Sequence, residues 1–347
     1  MAGGTARRPT LADVARRAGM SKSAVSMILN DRRDTRLSAE AAERVRAAAD
    51  ELGYRPNPAA QSLRSGKTRT IGFVSDQVTI TRYASGMIRG VLDAAKAHGH
   101  TVLITETGGG DDLADALQEL TDRRVDGLLI GLMSARLIEI PEQQGSTPLV
   151  VVNGVTPGGH PHVLPDERAA GMAVAEHLIE RGHRRIGVVG ELPDVIGDPR
   201  RSATIGDRFA GLFEALARAG VRPVLTETSE WSPEIGYECA HRLLDEHPEL
   251  TALVAGNDNM AFGVYQAMAE RGLRVADDVS VISFDDEELA AYLRPGLTTA
   301  RLPYEEMARR GVEMLLGDRE AGRLLLPMPL VVRDSVRRIE GPRSRHG

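Results

Sequence analysis

Between residues 10 and 53, apolar side chains recur at three- and four-residue intervals in three short bursts. Leu11, Val14, Ala15 and Ala18 form one stripe, Val25 with Ile28 or Leu29 a second, and Ala41, Val45, Ala48 and Leu52 a third. The breaks between them carry helix punctuation. Thr10 is placed to cap the first helix, with Asp13 near the positive end of its dipole. Gly19 breaks that helix and Met20 supplies an apolar turn residue. Ser21 can cap the second helix, which Asn30 and Asp31 end, and the third runs from near Ser38 to Gly53. Two short helices across a glycine turn, then a third, predict a helix-turn-helix or a generic three-helix bundle.

From Thr70 the pattern changes to short apolar runs alternating with amphipathic stretches. IGFV (71–74), TVLIT (101–105), GLLIG (127–131), LVVV (149–152), IGVVG (186–190), ALVAG (252–256) and VSVISF (279–284) read as buried parallel strands. Between them lie helical stretches such as MIRGVLDAAKAHG and AAGMAVAEHLIERG. Alternating strands and helices predict doubly wound sheets with right-handed crossovers, and this length of chain suits two of them. Ligands of such sheets bind outside the carboxyl ends of the strands.

Charge sharpens the reading of the first helices. Residues 1–69 hold 14 Lys and Arg against 7 Asp and Glu, whereas the remainder holds 29 against 42. A basic head on an acidic body is the distribution of a polyanion-binding module, although a solvated basic surface gives the same count. The outward positions of the second helix decide more. Lys22, Ser23, Ser26 and Met27 are poorly suited to cover a core, while short polar side chains let a helix approach base edges in the major groove. Thr10, Ser21 and Ser26 suit phosphate contacts, and Arg32, Arg33 and Arg36 would add nonspecific attraction. In the following YRPNPAAQSLRSGKT (54–68), a turn or two of helix over 59–64 is too short to stand alone, so it orders on a partner or remains a hinge. GKT at 66–68 is not a phosphate loop, because that motif needs glycine where Gln61 stands.

Other chemistry is sparse. No apolar run approaches a membrane span, and MAGGTARRPT lacks the apolar stretch of a secretory signal, so a cytoplasmic, nucleoid-associated protein without membrane partners is expected. Cys239 is the single cysteine, which excludes an internal disulfide and, even with His241 nearby, falls far short of a metal set. Gly108–Gly110 lack phosphate-loop spacing and read as a solvent loop. No nucleophile with a partner base is evident, so neither an enzyme nor a cofactor is expected. Asp166, Arg208, Trp231, Asn257 and Asp285 each fall just past a strand or at a helix start. Carboxylates, an amide, a guanidinium fork and a flat indole together suit a neutral sugar. Taken singly, Asp166 is also a plausible helix cap, Arg208 a surface charge and Trp231 a core residue.

The stretches TLADVARRAGMSKSAVSMILN, ERVRAAADELGYRPNP and SLRSGKTRTIG resemble the lactose-repressor (LacI/GalR) family of bacterial regulators, and the likeness extends through the chain. The resemblance implies an all-α helix-turn-helix head joined to an α/β two-lobed periplasmic-binding-protein-like core of two doubly wound parallel sheets. The implied domains are a head at 1–55, a hinge helix and linker at 56–69, and an effector-binding and dimerisation domain at 70–340 with a tail at 341–347. Its first lobe is expected to span 70–162 plus 288–302, and its second 163–287 plus 303–340. By position, Lys22, Ser23 and Met27 are base readers, Asn30 and Arg36 join the DNA-contacting set, Leu63 is the minor-groove wedge, and Ala60 is a neighbouring contact. Many family members carry arginine where this chain has Met27, so its operator preference should differ at that base pair. DERAAG, DRFAGL, EWS, AGNDNMAFG and SFDD match effector-contacting positions of sugar-responsive members, which places Asp166, Arg208, Trp231, Asn257 and Asp285 in the cleft with Ser75 and Tyr83 as weaker candidates. The expected partners are a pseudo-palindromic double-stranded operator, a small effector (a carbohydrate), and a second copy of the chain. The tail PLVVRDSVRRIEGPRSRHG carries no leucine heptad, so a homodimer is expected. A free sugar-binding protein of a transporter is the alternative function.

Overall fold

The computed structural model describes residues 9–29, 37–55, 57, 62–63, 66–76, 84–108, 112–141 and 146–339. Chain contacts divide it into two compact units, residues 1–69 and 70–347. Asn30, Arg32, Arg33, Arg36, Ala60 and Tyr83 lie outside the described residues.

The first unit contains α1 (Leu11–Ala18), α2 (Lys22–Leu29) and α3 (Ala39–Leu52). The backbone N–H and hydroxyl of Thr10 both donate to the Asp13 carboxylate, at 2.9 and 2.6 Å. Gly19 ends α1 at φ 66°, a left-handed turn that costs glycine nothing. The Oγ atoms of Ser21 and Ser38 accept from the N–H groups of Ala24 and Ala41 at 3.1 and 3.2 Å, capping α2 and α3. Val14, Val25 and Val45 are wholly buried at the centre of the unit, with Ala15, Ile28, Ala48 and Ala49 around them. Because α2 spends Ala24, Val25 and Ile28 on this core, Lys22 and Ser23 stand exposed, while Ser26 and Met27 are half-buried.

The second unit holds two six-stranded sheets. The first is built from β1 (Thr70–Asp76), β2 (Thr101–Thr107), β3 (Gly127–Leu137), β4 (Leu149–Val155), β5 (His162–Pro165) and, from far along the chain, β11 (Arg323–Leu326). Its order is β11-β5-β4-β3-β1-β2, with every pairing parallel. The second is built from β6 (Ile186–Glu191), β7 (Val224–Glu227), β8 (Ala252–Ala255), β9 (Ser280–Asp285), β10 (Thr298–Arg301) and β12 (Leu330–Val331), in the order β12-β10-β9-β8-β6-β7. Only β12 runs antiparallel to its neighbour among these pairings. The central strands are buried along most of their length because helices cover both faces.

One expected boundary is displaced. Residues 288–302 do not return to the first lobe: β10 pairs with β9 and stays in the second sheet. The crossing comes just afterwards, where helix Tyr304–Leu315 packs against helix Ala84–Ala97 and β11 joins β5. The segment 303–326 therefore belongs to the first lobe and not the second. A short TTAR strand gives no sequence signal of which sheet receives it. The lobes are also joined directly at the end of β3, past a register shift in its pairing with β4: Ala203 N–H donates to Ala135 carbonyl at 2.8 Å, and Leu137 N–H to Pro199 carbonyl at 2.7 Å. Arg200 and Glu139 add an exposed ion pair at 2.9 Å beside them.

Glycine sets the closest approach of helices Glu167–Glu180 and Ile205–Arg218. A Cβ on Gly171 would fall 2.0 Å from the Arg208 carbonyl oxygen, and one on Gly211 would fall 2.0 Å from that of Arg168. The two backbones thus touch reciprocally, with no room for a side chain. Gly171→Ala is expected to cost about 1–3 kcal/mol through forced separation of the helices. Gly197→Ala, at φ −86° with open space around it, should be nearly neutral. Urea unfolding of the two variants checks this; equal midpoints would show that the helix pair tolerates the added methyl.

Candidate functional site

The glycine contact fixes what happens one turn earlier on each helix. Glu167 lies four residues before Gly171, and Arg208 lies three before Gly211, so both side chains sit on the contacting faces. They form a two-oxygen ion pair, with Nε to Oε2 at 2.7 Å and Nη2 to Oε1 at 2.8 Å. Arg208 Nη1 donates to Gly256 carbonyl at 2.7 Å, and Nη2 also reaches Asp285 Oδ1 at 3.2 Å. Its guanidinium carbon lies 4.5 Å from the Phe284 ring centroid and 5.4 Å from that of Trp231. Only 3% of the Arg208 side chain is exposed, with 4% of Glu167 and 9% of Asp285. Burial opposes the charge on Arg208, but Glu167 and Asp285 outweigh it and hold its pKa above the ordinary value. Burial pushes the Glu167 carboxyl up, and the guanidinium pulls it part of the way back.

Trp231 is seated over two glycines. Its Nε1–H donates to Gly190 carbonyl at 2.7 Å, and a Cβ at Gly256 would meet its ring at 2.5 Å. The half-buried indole thereby lies at the carboxyl ends of β6 and β8. Asn257 follows β8, and its Oδ1 caps the next helix by accepting from Met260 N–H at 2.8 Å; the Nδ2 group is what it has left to offer. Asp285 ends β9 at φ 105° and Asp286 follows at φ 55°, two successive residues in a region that side chains rarely adopt. That turn aims Asp285 at Arg208 while it also lines a cavity of 770 Å³ with Ser85, Glu287, Arg301, Tyr304 and Glu305. The cavity draws on both lobes and the segment that crosses between them.

Arg208, Trp231, Asn257 and Asp285 are thus brought together. Asp166 is not in contact with Arg208. It caps its helix, accepting from Ala169 N–H at 3.1 Å, and lines a separate 240 Å³ recess with Arg168, Thr204, Asp207 and Arg323. The residue that meets Arg208 is its neighbour Glu167, which the sequence reading passed over. Four-residue spacing to Gly171 was the available signal. Ser75 is wholly buried and spends its hydroxyl on Gly131 carbonyl at 2.6 Å. Asp76 beside it binds Arg136 at 2.7 Å and accepts from Met133 N–H at 3.0 Å, in a 430 Å³ recess of the first lobe.

Asp258, the residue after Asn257, is fully buried. It accepts from Ser283 and Thr299 hydroxyls and from Glu287 N–H. Burial pushes its carboxyl up to about 7, with the charge of Asp285 adding to the rise and the hydrogen bonds opposing it. A carboxyl whose folded pKa is raised binds more protons folded than unfolded, so its contribution to stability falls as pH rises from about 4 through about 7. Relative to Asp258→Asn, the natural chain should lose stability between about pH 5 and pH 8. Thermal melts of both proteins across that range decide it, and parallel curves would assign Asp258 an ordinary acidity.

No helix among the described residues is long and apolar enough to cross a membrane. Residues 10–57 match the family of bacterial regulatory proteins, lacI family, and residues 175–336 match a periplasmic binding protein-like domain. The chain is 32% identical over 346 residues to the HTH-type transcriptional repressor PurR of Vibrio vulnificus strain CMCP6, covering 95% of this chain and 99% of that one. Its structure is similar to that of the lac repressor dimer bound to operator and the anti-inducer ONPF, with a TM-score of 0.73, 28% identity, and coverage of 95% and 100% of the two chains. It is also similar to the transcriptional regulator CelR in complex with cellobiose, at a TM-score of 0.60 and 26% identity over 94% and 100% of the chains. The chain belongs to the LacI family of bacterial regulatory proteins, DNA-binding transcriptional regulators that carry an effector-binding domain.

Proposed function

We propose that the protein is a cytoplasmic, homodimeric repressor that reads a two-fold related operator on nucleoid DNA and answers to a carbohydrate bound between its lobes. The observation that carries the DNA-reading half is the face of α2, where Lys22 and Ser23 stand exposed on a helix whose apolar residues are spent on the core. Ser21 keeps a hydroxyl proton for a phosphate even while its oxygen caps the helix. Thr10 instead turns its hydroxyl proton to Asp13, so a phosphate would have to displace that bond. Leu63, 80% exposed, is the apolar wedge of the hinge segment, and Asn30, Arg36 and Ala60 complete the proposed DNA contacts.

For the effector, Trp231 offers an apolar ring face, Asp285 a hydroxyl acceptor and Asn257 an amide donor at one end of the second sheet. The cellobiose complex of the similar CelR favours a sugar over other neutral ligands. Ser75 acts through the strand it buttresses, and Tyr83 is proposed as a further effector contact from the first lobe. A second copy would cover Leu92, Ile104 and Tyr292, large apolar side chains left 43%, 42% and 68% exposed. Two heads on a two-fold axis match a two-fold related operator.

Full-length protein should bind operator-bearing DNA with an affinity that falls steeply with salt, while a chain beginning at Thr70 should not bind. Equal binding by both would end the assignment of the head. Met27→Arg should bring guanine into the preferred site at one base pair of each half-site, because arginine pairs with its N7 and O6 whereas methionine offers an apolar contact. Selection from randomised duplexes reads this out; an unchanged preferred sequence would remove Met27 from the base readers.

A further inference from the structure

Arg208 has little left to give a ligand. Four of its five N–H directions are used, two on Glu167, one on Gly256 carbonyl and one on Asp285, and aromatic rings lie against its guanidinium. The group Glu167, Arg208 and Asp285 therefore carries one net negative charge in a place nearly closed to water. The carboxylates of Asp285, Glu287, Glu288 and Glu305 also line the adjoining cavity, together with Asp286, which Arg301 and Arg333 bind at 2.7 and 2.6 Å, and Glu306, which Arg309 and Arg310 bind. In the first-lobe recess Arg136 is held by Asp76. Among the described residues, each guanidinium lining these spaces already has a carboxylate.

Phosphate and carboxylate ligands are captured by charge-assisted donors, above all by the arginine fork. Here the fork is closed by Glu167, and an anion approaching Asp285 would meet like charge where water screens poorly. A hydroxyl or an ammonium group meets an acceptor instead. We propose that Glu167 is a specificity-determining residue: by occupying the Arg208 fork with both oxygens it denies anions an anchor, so that the cleft takes a neutral polyol or an amine-bearing ligand and refuses phosphorylated or carboxylated ones. The inference rests on the assignment of this cleft as the effector site.

Trp231, the single tryptophan of the chain, allows a test that needs no identified effector. Its fluorescence is quenched with iodide, caesium and acrylamide, each normalised to N-acetyltryptophanamide. In the natural protein caesium should quench several-fold better than iodide, since a local potential of several kT redistributes small ions. Glu167→Gln should raise iodide quenching toward that of caesium, and Glu167→Asp should keep the natural order. Inorganic phosphate, compared with chloride at equal ionic strength, should then raise the melting temperature of Glu167→Gln and not that of the natural protein. Iodide matching or exceeding caesium in the natural protein, or Gln and Asp variants behaving alike, would overturn the proposal. The natural-protein comparison stands even where a variant fails to fold. Operator affinity of the same samples, titrated with neutral mono- and disaccharides, is read separately: a neutral sugar that changes it upholds the effector assignment even where the quenching order overturns the role of Glu167.

Discussion

Two helix backbones in contact at Gly171 and Gly211 set the geometry of the second lobe. With side chains there, the helices would stand apart, and Glu167 and Arg208 would be carried apart with them. A second pair repeats the device on the other side of the site. A Cβ on Gly236 would fall 2.3 Å from Met260 carbonyl, and one on Gly263 would fall 1.9 Å from Pro233 carbonyl. That contact joins the helix beginning after Trp231 to the helix capped by Asn257. Both flanks of the candidate site are therefore placed by backbone contact, which leaves little freedom for side chains to drift.

Such rigidity matters because the ion cluster is expensive to bury. Removing a carboxylate and a guanidinium from water costs several kcal/mol for each ion, and their attraction offsets this only with good geometry and satisfied remaining donors. The two-oxygen pairing, the Gly256 carbonyl and Asp285 meet that condition. The pair is better understood as orienting Arg208 and Asp285 than as a net source of stability. It holds Asp285 at the end of β9 despite two consecutive left-handed residues, and it supplies the surface on which Trp231 rests.

The sequence carries the fold more fully than the site. Strands such as LVVV and ALVAG are continuous apolar runs because both their faces are covered, and they are legible for that reason. HVLP, VLTE and TTAR are short edge or near-edge strands whose pairing depends on partners distant in sequence; none stands out, and TTAR was assigned to the wrong lobe. In the candidate site, Arg208, Trp231, Asn257 and Asp285 group together in the sequence because each lies just past a strand or near a helix start, and the structure places them near one another. Asp166 stands out in the sequence and Glu167 does not, because a carboxylate just before a helix reads equally well as cap or ligand contact. The spacing to Gly171 distinguishes them only once that glycine is known to face another helix.

A ligand between lobes can bias DNA binding only by as much as its affinity differs between two arrangements of the protein. The lobes already meet at the end of β3, through backbone bonds between 135–137 and 199–203. A ligand adds nothing there that both arrangements do not share. The differential contacts must come from the side where Asp285 and Arg301 face Ser85 and Tyr304 across the 770 Å³ cavity. Groups bound to the second lobe through Asp285 and Trp231 gain extra partners from the first lobe only when that gap narrows. Since the first lobe begins at β1, immediately after the segment 56–69, any ligand-dependent change between the lobes involves the lobe covalently joined to the DNA-reading unit.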